Sequence, residues 1–172
     1  WAAHALGVDF IALNPLHAIH NRQPYNTSPY LPNSVFYRNP IYLDVERLED
    51  FQASRSAQAL LAAPETQQEL AALRASPLVE YERVHKLKTR FFKLCFETFR
   101  RRCREGAACR GAFDEYCCRE GDLLERFATY CALEEWIHSQ YPDIWIWPDW
   151  PAEYRDPDSK AVLAFARRYA GR

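Results

Sequence analysis

Residues 79–104 read VEYERVHKLKTRFFKLCFETFRRRCR and contain neither glycine nor proline. The apolar residues of this stretch recur at steps of three and four positions, which is the spacing of one face of an α-helix. They are Val84, Leu87, Phe91, Leu94, Cys95, Phe99 and Cys103. The pattern predicts a long amphipathic helix from about Val79 to Arg104, whose apolar face is a packing surface.

Further helices are predicted on both sides of this stretch. Ser54 and Pro64 can each begin a short helix, because serine is a favoured cap and proline a favoured first residue. Later helices are predicted at 113–119, at 122–140 and after a cap at Asp158 or Ser159. Residues 46–172 are therefore predicted to form a mostly α-helical subdomain.

The first 45 residues have a different character. Residues 1–7, WAAHALG, read as the last turns of a helix that ends at Gly7, where glycine tolerates a left-handed cap. Residues 8–13, VDFIAL, form a short apolar run that is typical of a strand buried on both faces of a parallel sheet. Residues 41–45 are predicted to form a second short extended piece. The order of helix, glycine and buried strand indicates an α/β layer.

The loop that follows the predicted strand is the candidate functional site. Residues 14–40 contain five prolines, several Asn and Ser residues and several aromatic rings, which predicts a rigid irregular loop. Sugars suit such a surface, because their C–H faces pack on aromatic rings and their hydroxyls need amide and hydroxyl partners. The candidate substrate-binding residues are Asn14, His17, Ser28 and Tyr30.

Two other interpretations of the loop are open. Its aromatic residues can instead pack onto the body of the protein and have only a structural role. His17 and His20 could ligate a metal ion if a third ligand such as Asp44 were close, but the spacing gives no recognised metal motif. The sequence predicts no metal site, no cofactor and no paired catalytic carboxylates.

Composition and charge limit the class of protein. The formal net charge is −1, which provides no long-range attraction for nucleic acid. No apolar run approaches the roughly 20 residues that a membrane-spanning helix needs. The six cysteines form no Cys-x-x-Cys motif, which favours reduced thiols and a cytoplasmic location over a disulfide framework.

The chain begins at Trp1 and contains no methionine, which favours a piece of a longer polypeptide. A single sheet strand in such a piece would leave both of its edges unpaired. We therefore expect that copies of the chain can associate as a homodimer.

Three motifs in order resemble the start of the catalytic barrel of the 4-α-glucanotransferases (amylomaltase, disproportionating enzyme; glycoside hydrolase family 77). They are FIALNPLHA at 10–18, Ser28-Pro-Tyr30 and NPIYLDV at 39–45. Later segments are similar to the bacterial maltodextrin-pathway branch of that family: Pro64-x-Thr-Gln-Gln68, Lys86-Leu-Lys88 and Trp147-Pro-x-Trp-Pro-x-x-Tyr154.

The resemblance implies a (β/α)8 TIM barrel whose first strand is Val8–Asn14, with the helical region as an insertion before the second strand. It implies retaining transfer of α-1,4-glucan segments between maltooligosaccharides, with an Asp nucleophile, a Glu acid/base and a second Asp. In the family these three residues come from later strands, so no catalytic residue is expected in this chain. Tyr30 matches the ring that lines the donor subsite, and Asn14, His17 and Ser28 border it.

Two alternatives to an inactive piece of a glucanotransferase are a helical interaction or scaffold domain and a carbohydrate-binding module without chemistry. Loss of maltooligosaccharide binding on Tyr30→Ala would favour a surviving substrate subsite.

Overall fold

The computed structural model describes residues 2–21, 27–106, 108–144 and 146–170. The chain forms two compact units, residues 1–109 and 110–172. The proposed division at residue 45, between a barrel part and an inserted part, concerns a longer protein and stays a prediction.

The first unit is mostly helical and has one small sheet. Its helices are α1 (Ala2–Leu6), α2 (Glu49–Gln52), α3 (Arg55–Ala62), α4 (Pro64–Ala75) and α5 (Tyr81–Arg104), with 3₁₀ turns at Pro40–Tyr42 and Val45–Arg47. Strands β1 (His17–Ala18) and β2 (Ser34–Arg38) pair antiparallel with an irregular register.

The long helix predicted from residues 79–104 is confirmed as α5. Its stripe buries Leu87, Phe91 and Cys95 against Phe51 of α2 and Ala57 of α3. The rings of Phe51 and Phe91 lie 6.2 Å apart in a tilted arrangement. Burial of each large apolar side chain contributes about 1.5–3 kcal/mol, so this stripe contributes substantially to the stability of the first unit.

The predicted helix starts in this unit are also confirmed. The hydroxyl of Ser54 accepts a hydrogen bond from the backbone N–H of Ala57 at 3.2 Å and caps α3. Pro64 is the first residue of α4, where its missing N–H removes no intrahelical bond.

The second unit consists of α6 (Ala108–Gln140), 3₁₀ turns at Trp147–Asp149 and Ala152–Tyr154, and α7 (Lys160–Tyr169). Its core contains Leu133, Ile137, Trp150, Val162 and Phe165. The start of α7 agrees with the sequence, because the hydroxyl of Ser159 accepts a hydrogen bond from the N–H of Val162 at 3.2 Å.

A break divides α6 at Gly121, as the separate predictions at 113–119 and 122–140 require. The backbone there has φ 53° and ψ −138°, a conformation that residues other than glycine rarely adopt. Open space surrounds the position where a Cβ would be, so backbone conformation and not crowding calls for glycine.

The prediction of a buried strand at residues 8–13 is wrong. This segment belongs to no strand, and its large side chains are exposed, with Phe10 at 82% and Leu13 at 74%. A strand needs neighbours to pair its backbone and cover its faces, and the sheet of the described residues consists of β1 and β2 alone. The apolar run therefore lies on the surface of this chain.

The prediction of an extended piece at residues 41–45 is also wrong. Residues Pro40–Tyr42 form a 3₁₀ turn, and a second turn starts at Val45. Proline at the first position presets a helical φ, and the side chain of Asn39 accepts from the N–H of Ile41 at 3.0 Å. These local bonds replace those of a strand.

In the described part of the chain, no helix is long and apolar enough to cross a membrane. Cys95 is a buried thiol outside any disulfide, and burial raises its pKa.

Candidate functional site

The short hairpin brings the two ends of the candidate loop together. His17 in β1 lies opposite Arg38 in β2, and Ala18 lies opposite Ser34. Backbone bonds extend the pairing on both sides. The N–H of Asn33 donates to the carbonyl of Ala18 at 2.8 Å, and the N–H of Asn39 donates to the carbonyl of Leu16 at 3.0 Å. Residues 27–33 therefore belong to a loop whose two ends are joined by the pairing of β1 and β2.

Tyr30 is at the exposed tip of this loop and is held at two points. Its phenol hydroxyl donates to Oδ1 of Asn14 at 3.1 Å, and its backbone N–H donates to Oγ of Ser28 at 3.3 Å. The N–H of Leu31 donates to the carbonyl of Ser28 at 3.1 Å and closes a turn with Pro29 at its second position. The side chain of Tyr30 is nevertheless 68% exposed, so its ring is fixed and accessible.

Three of the four predicted site residues are therefore in direct contact. Asn14, Ser28 and Tyr30 form one hydrogen-bonded group, although Asn14 is 16 residues away from Tyr30 in sequence. His17 is half-buried in β1. Among the described residues, its side chain makes no hydrogen bond to the other three.

A hydrogen bond between two buried asparagines, which were not predicted as site residues, joins the two ends of the candidate loop. Nδ2 of Asn39 donates to Oδ1 of Asn21 at 2.6 Å, and both residues are at most 3% exposed. Asn21 has a φ of 48°, a left-handed conformation that asparagine tolerates better than most residues. The Asn-Pro dipeptide at 39–40 was the available signal, because it marks a turn.

A lysine on the long helix holds the end of the same segment. Nζ of Lys88 donates to the carbonyl of Ile41 at 2.5 Å and to that of Leu43 at 2.7 Å. Burial lowers the pKa of the Lys88 ammonium, and the charge of Asp44 opposes this shift. Asp44 itself pairs with Arg47 at 3.3 Å on the surface.

The chemistry available at this site is that of binding. Asn14, Ser28, His17 and Tyr30 offer an amide, a hydroxyl, an imidazole and an aromatic ring, and none of them is a carboxylate. In the described residues, no group of three or more His, Cys, Asp or Glu side chains could hold a metal ion. An exposed, fixed aromatic ring next to amide and hydroxyl groups is the kind of surface that sugar-binding proteins present.

Comparison with known proteins identifies the family of the chain. A family model described as 4-alpha-glucanotransferase matches residues 1–172, and the chain belongs to this family, glycoside hydrolase family 77. The resemblance inferred from the three motifs is thereby confirmed.

Individual relatives carry the same description. The chain is 30% identical over 99% of its length to a 4-alpha-glucanotransferase of Mycobacterium tuberculosis (strain H37Rv). It is 31% identical over 87% of its length to a 4-alpha-glucanotransferase of Haemophilus influenzae. The chain spans only 22% of the length of each of these relatives.

Proposed function

We propose that the chain forms one wall of the donor-sugar cleft of a 4-α-glucanotransferase. The enzyme would transfer α-1,4-glucan segments between maltooligosaccharides by a retaining double displacement. The observation that carries the proposal is the exposed ring of Tyr30, held by Asn14 and Ser28 within a chain that belongs to this family.

The restraints on Tyr30 suit it to bind a sugar ring. A face of glucose presents C–H groups that pack on an aromatic ring, and a ring that is already fixed loses little entropy on binding. Because the phenol donates its proton to Asn14, its oxygen is left as an acceptor for a sugar hydroxyl. The hydroxyl of Ser28 and the amide of Asn14 can bind further hydroxyls at the edge of the same sugar.

The proposed chemistry requires residues from outside this chain. A retaining glycosyl transfer uses two carboxyl groups roughly 5 Å apart, one as nucleophile and one as acid/base. None of the four site residues carries a carboxyl group. We therefore assign binding and orientation of the sugar to this chain within a larger (β/α)8 barrel enzyme. We expect the chain alone to be inactive.

The exposed apolar segment at residues 8–13 supports the same assignment. Phe10, Ile11 and Leu13 are each more than half exposed, which is costly for a short run of large apolar side chains. In the proposed longer enzyme, other parts of the polypeptide would cover these side chains.

The test of the proposal is titration of the 172-residue chain with maltoheptaose, followed by calorimetry or by chemical shifts. Tyr30→Ala is expected to raise the dissociation constant of the loop site at least about tenfold, a loss of roughly 1.4 kcal/mol. Tyr42→Ala is the matched control, because Tyr42 is also an exposed tyrosine of the first unit, at 53%. Equal affinity of Tyr30→Ala and the parent chain would contradict the proposal.

A second measurement separates transfer from binding alone. A polypeptide of the family's full length that contains this chain is expected to convert maltotriose into glucose and longer maltooligosaccharides. Tyr30→Ala in that polypeptide is expected to lower the rate. Sugar binding without any transfer would instead indicate a carbohydrate-binding module.

A further inference from the structure

The second unit contains a groove of about 480 Å³ that the candidate loop does not use. All of its lining residues belong to residues 122–166, on the second part of α6, the segment from Trp147 to Asp158, and α7. The volume is in the range of sites for small ligands.

One wall of the groove is aromatic and is held in place by backbone hydrogen bonds. The indole N–H of Trp147 donates to the carbonyl of Arg155 at 2.9 Å, and Nε of Arg155 donates to the carbonyl of Trp150 at 2.6 Å. Trp150 is 2% exposed and stacks on Tyr130, with 5.4 Å between ring centroids. Trp147 is 49% exposed. The groove therefore has a buried aromatic floor beside a fixed and accessible indole ring.

The largely apolar lining of the groove also includes charged side chains. Nη2 of Arg126 donates to Oδ1 of Asp158 at 2.9 Å, and both side chains are more than half exposed. Asp122 and Glu125 also line the groove, from α6, and are exposed. Carboxylate and guanidinium groups offer hydroxyl groups both acceptors and donors in fixed planar pairs.

The charge of the lining favours a neutral ligand over an anion. Three carboxylates, those of Asp122, Glu125 and Asp158, face two guanidiniums, those of Arg126 and Arg155. The net charge of −1 disfavours phosphate groups, and the exposed Arg126–Asp158 pair offers a neutral polar ligand both donors and acceptors. An apolar and aromatic lining combined with donors and acceptors matches a molecule with C–H faces and hydroxyl edges.

We propose that this groove is a second glucan-binding site, in which the indole of Trp147 stacks on a glucose ring and the Arg126–Asp158 pair binds sugar hydroxyls. The site would bind part of a long α-1,4-glucan outside the donor cleft. The choice of an α-glucan as ligand rests on the proposed function, whereas the shape and polarity of the groove do not.

The experiment uses the 172-residue chain and maltoheptaose, with the indole ¹H–¹⁵N signal of Trp147 as the readout for the groove. Saturation is expected to shift that signal. Trp147→Ala is expected to weaken binding at the groove about tenfold. Tyr141→Ala is the matched control, because Tyr141 is an exposed aromatic residue of the same unit, at 44%, and lies outside the groove.

Two surface variants keep the test decisive if Trp147→Ala fails to fold. Arg126→Ala and Asp158→Asn change exposed side chains and are each expected to weaken groove binding about threefold without lowering the melting temperature. Cellohexaose, which has β-1,4 links, is expected to bind more weakly than maltoheptaose.

The variants also separate this inference from the proposed function. If Tyr30→Ala abolishes sugar binding and Trp147→Ala changes nothing, the groove proposal fails and the donor-cleft proposal stands. If Trp147→Ala weakens binding and Tyr30→Ala does not, the donor-cleft proposal fails and the groove proposal stands. An unshifted Trp147 signal at saturating maltoheptaose, or equal binding of cellohexaose, would overturn the groove proposal.

Discussion

The ammonium group of Lys88 donates to the backbone carbonyl of Leu43 at 2.7 Å and so joins the long helix to a segment 45 residues earlier. Leu43 follows the 3₁₀ turn that ends the candidate loop, and the same ammonium also bonds the carbonyl of Ile41. The position of the loop's end thus depends on a side chain of α5 as well as on local turns.

Lys88→Ala is expected to lower the free energy of unfolding by about 1.5–3 kcal/mol, because two carbonyls lose a charged donor. The measurement is urea unfolding followed by circular dichroism. Lys86→Ala is the matched control on the same helix, since Lys86 is exposed and pairs with Glu82 on the surface at 2.8 Å. That change is expected to stay within about 0.5 kcal/mol. Equal losses for the two variants would contradict the role assigned to Lys88.

The lowered pKa of Lys88 predicts a dependence of stability on pH. Between the lowered pKa of the folded state and the ordinary value near 10.5, the unfolded chain binds more protons at this site than the folded chain. The contribution of Lys88 to stability therefore rises with pH across that window. We expect the stability difference between the parent chain and Lys88→Met to move in favour of the parent as the pH is raised toward 10.5. A difference that is constant with pH would show that the pKa is not lowered.

Tyr30→Phe tests what the phenol of Tyr30 adds to its ring. The variant keeps the aromatic face and loses the bond to Asn14, so maltoheptaose binding is expected to weaken by about threefold, less than in Tyr30→Ala. Asn14→Ala is expected to weaken binding by a similar factor, and the double variant to add little to either change. Full additivity of the two changes would indicate that the two side chains act independently.

Asn39→Ala is expected to destabilise the chain by about 1–3 kcal/mol. The change leaves the buried Oδ1 of Asn21 without this donor and removes the cap on the N–H of Ile41. Thermal unfolding of the variant, compared with the exposed Asn14→Ala as control, provides the measurement. A loss no greater than that of Asn14→Ala would exclude a supporting role for the buried pair.

Thr66→Val is expected to stabilise the chain by about 1 kcal/mol. Thr66 is 1% exposed, and its Oγ1 has no hydrogen-bond partner among the described residues. Replacing an unpaired buried hydroxyl by a methyl group of similar size removes a desolvation cost. Thr66→Ser, which keeps the hydroxyl and loses the methyl group, is expected to destabilise. A lower melting temperature for Thr66→Val would contradict this account.

The helices could be predicted from sequence because their signals are local. Ser54 and Ser159 cap helices through bonds to residues three positions ahead, and the stripe of α5 repeats within one continuous segment. Because caps and apolar stripes lie within one short segment, they can be recognised without knowledge of the rest of the fold.

The error at residues 8–13 occurred where the structure depends on distant contacts, whereas the error at residues 41–45 overlooked the local signals of Asn39 and Pro40. The run at residues 8–13 indicates that its side chains favour burial, but it does not indicate which part of a protein covers them. β2 was not predicted, although Val35, Phe36 and Tyr37 are typical strand residues, because its partner β1 has only two residues.

The candidate site was predicted in part for the same reason. Ser28 and Tyr30 are adjacent in a Pro-containing turn that the sequence displays. The bond from Tyr30 to Asn14 follows from the hairpin that closes the loop. The buried Asn21–Asn39 pair has a separation of 18 residues and no local signal at Asn21.

The break at Gly121 uncouples the two parts of α6 from each other. In an unbroken helix, one inserted residue turns every following side chain by about 100° around the axis. Here an insertion before Gly121 can be absorbed at the break, so Tyr130, Leu133 and Ile137 would keep facing Trp150 and Val162. Changes in helix length are therefore expected to be tolerated between residues 110 and 120 and harmful between 122 and 140.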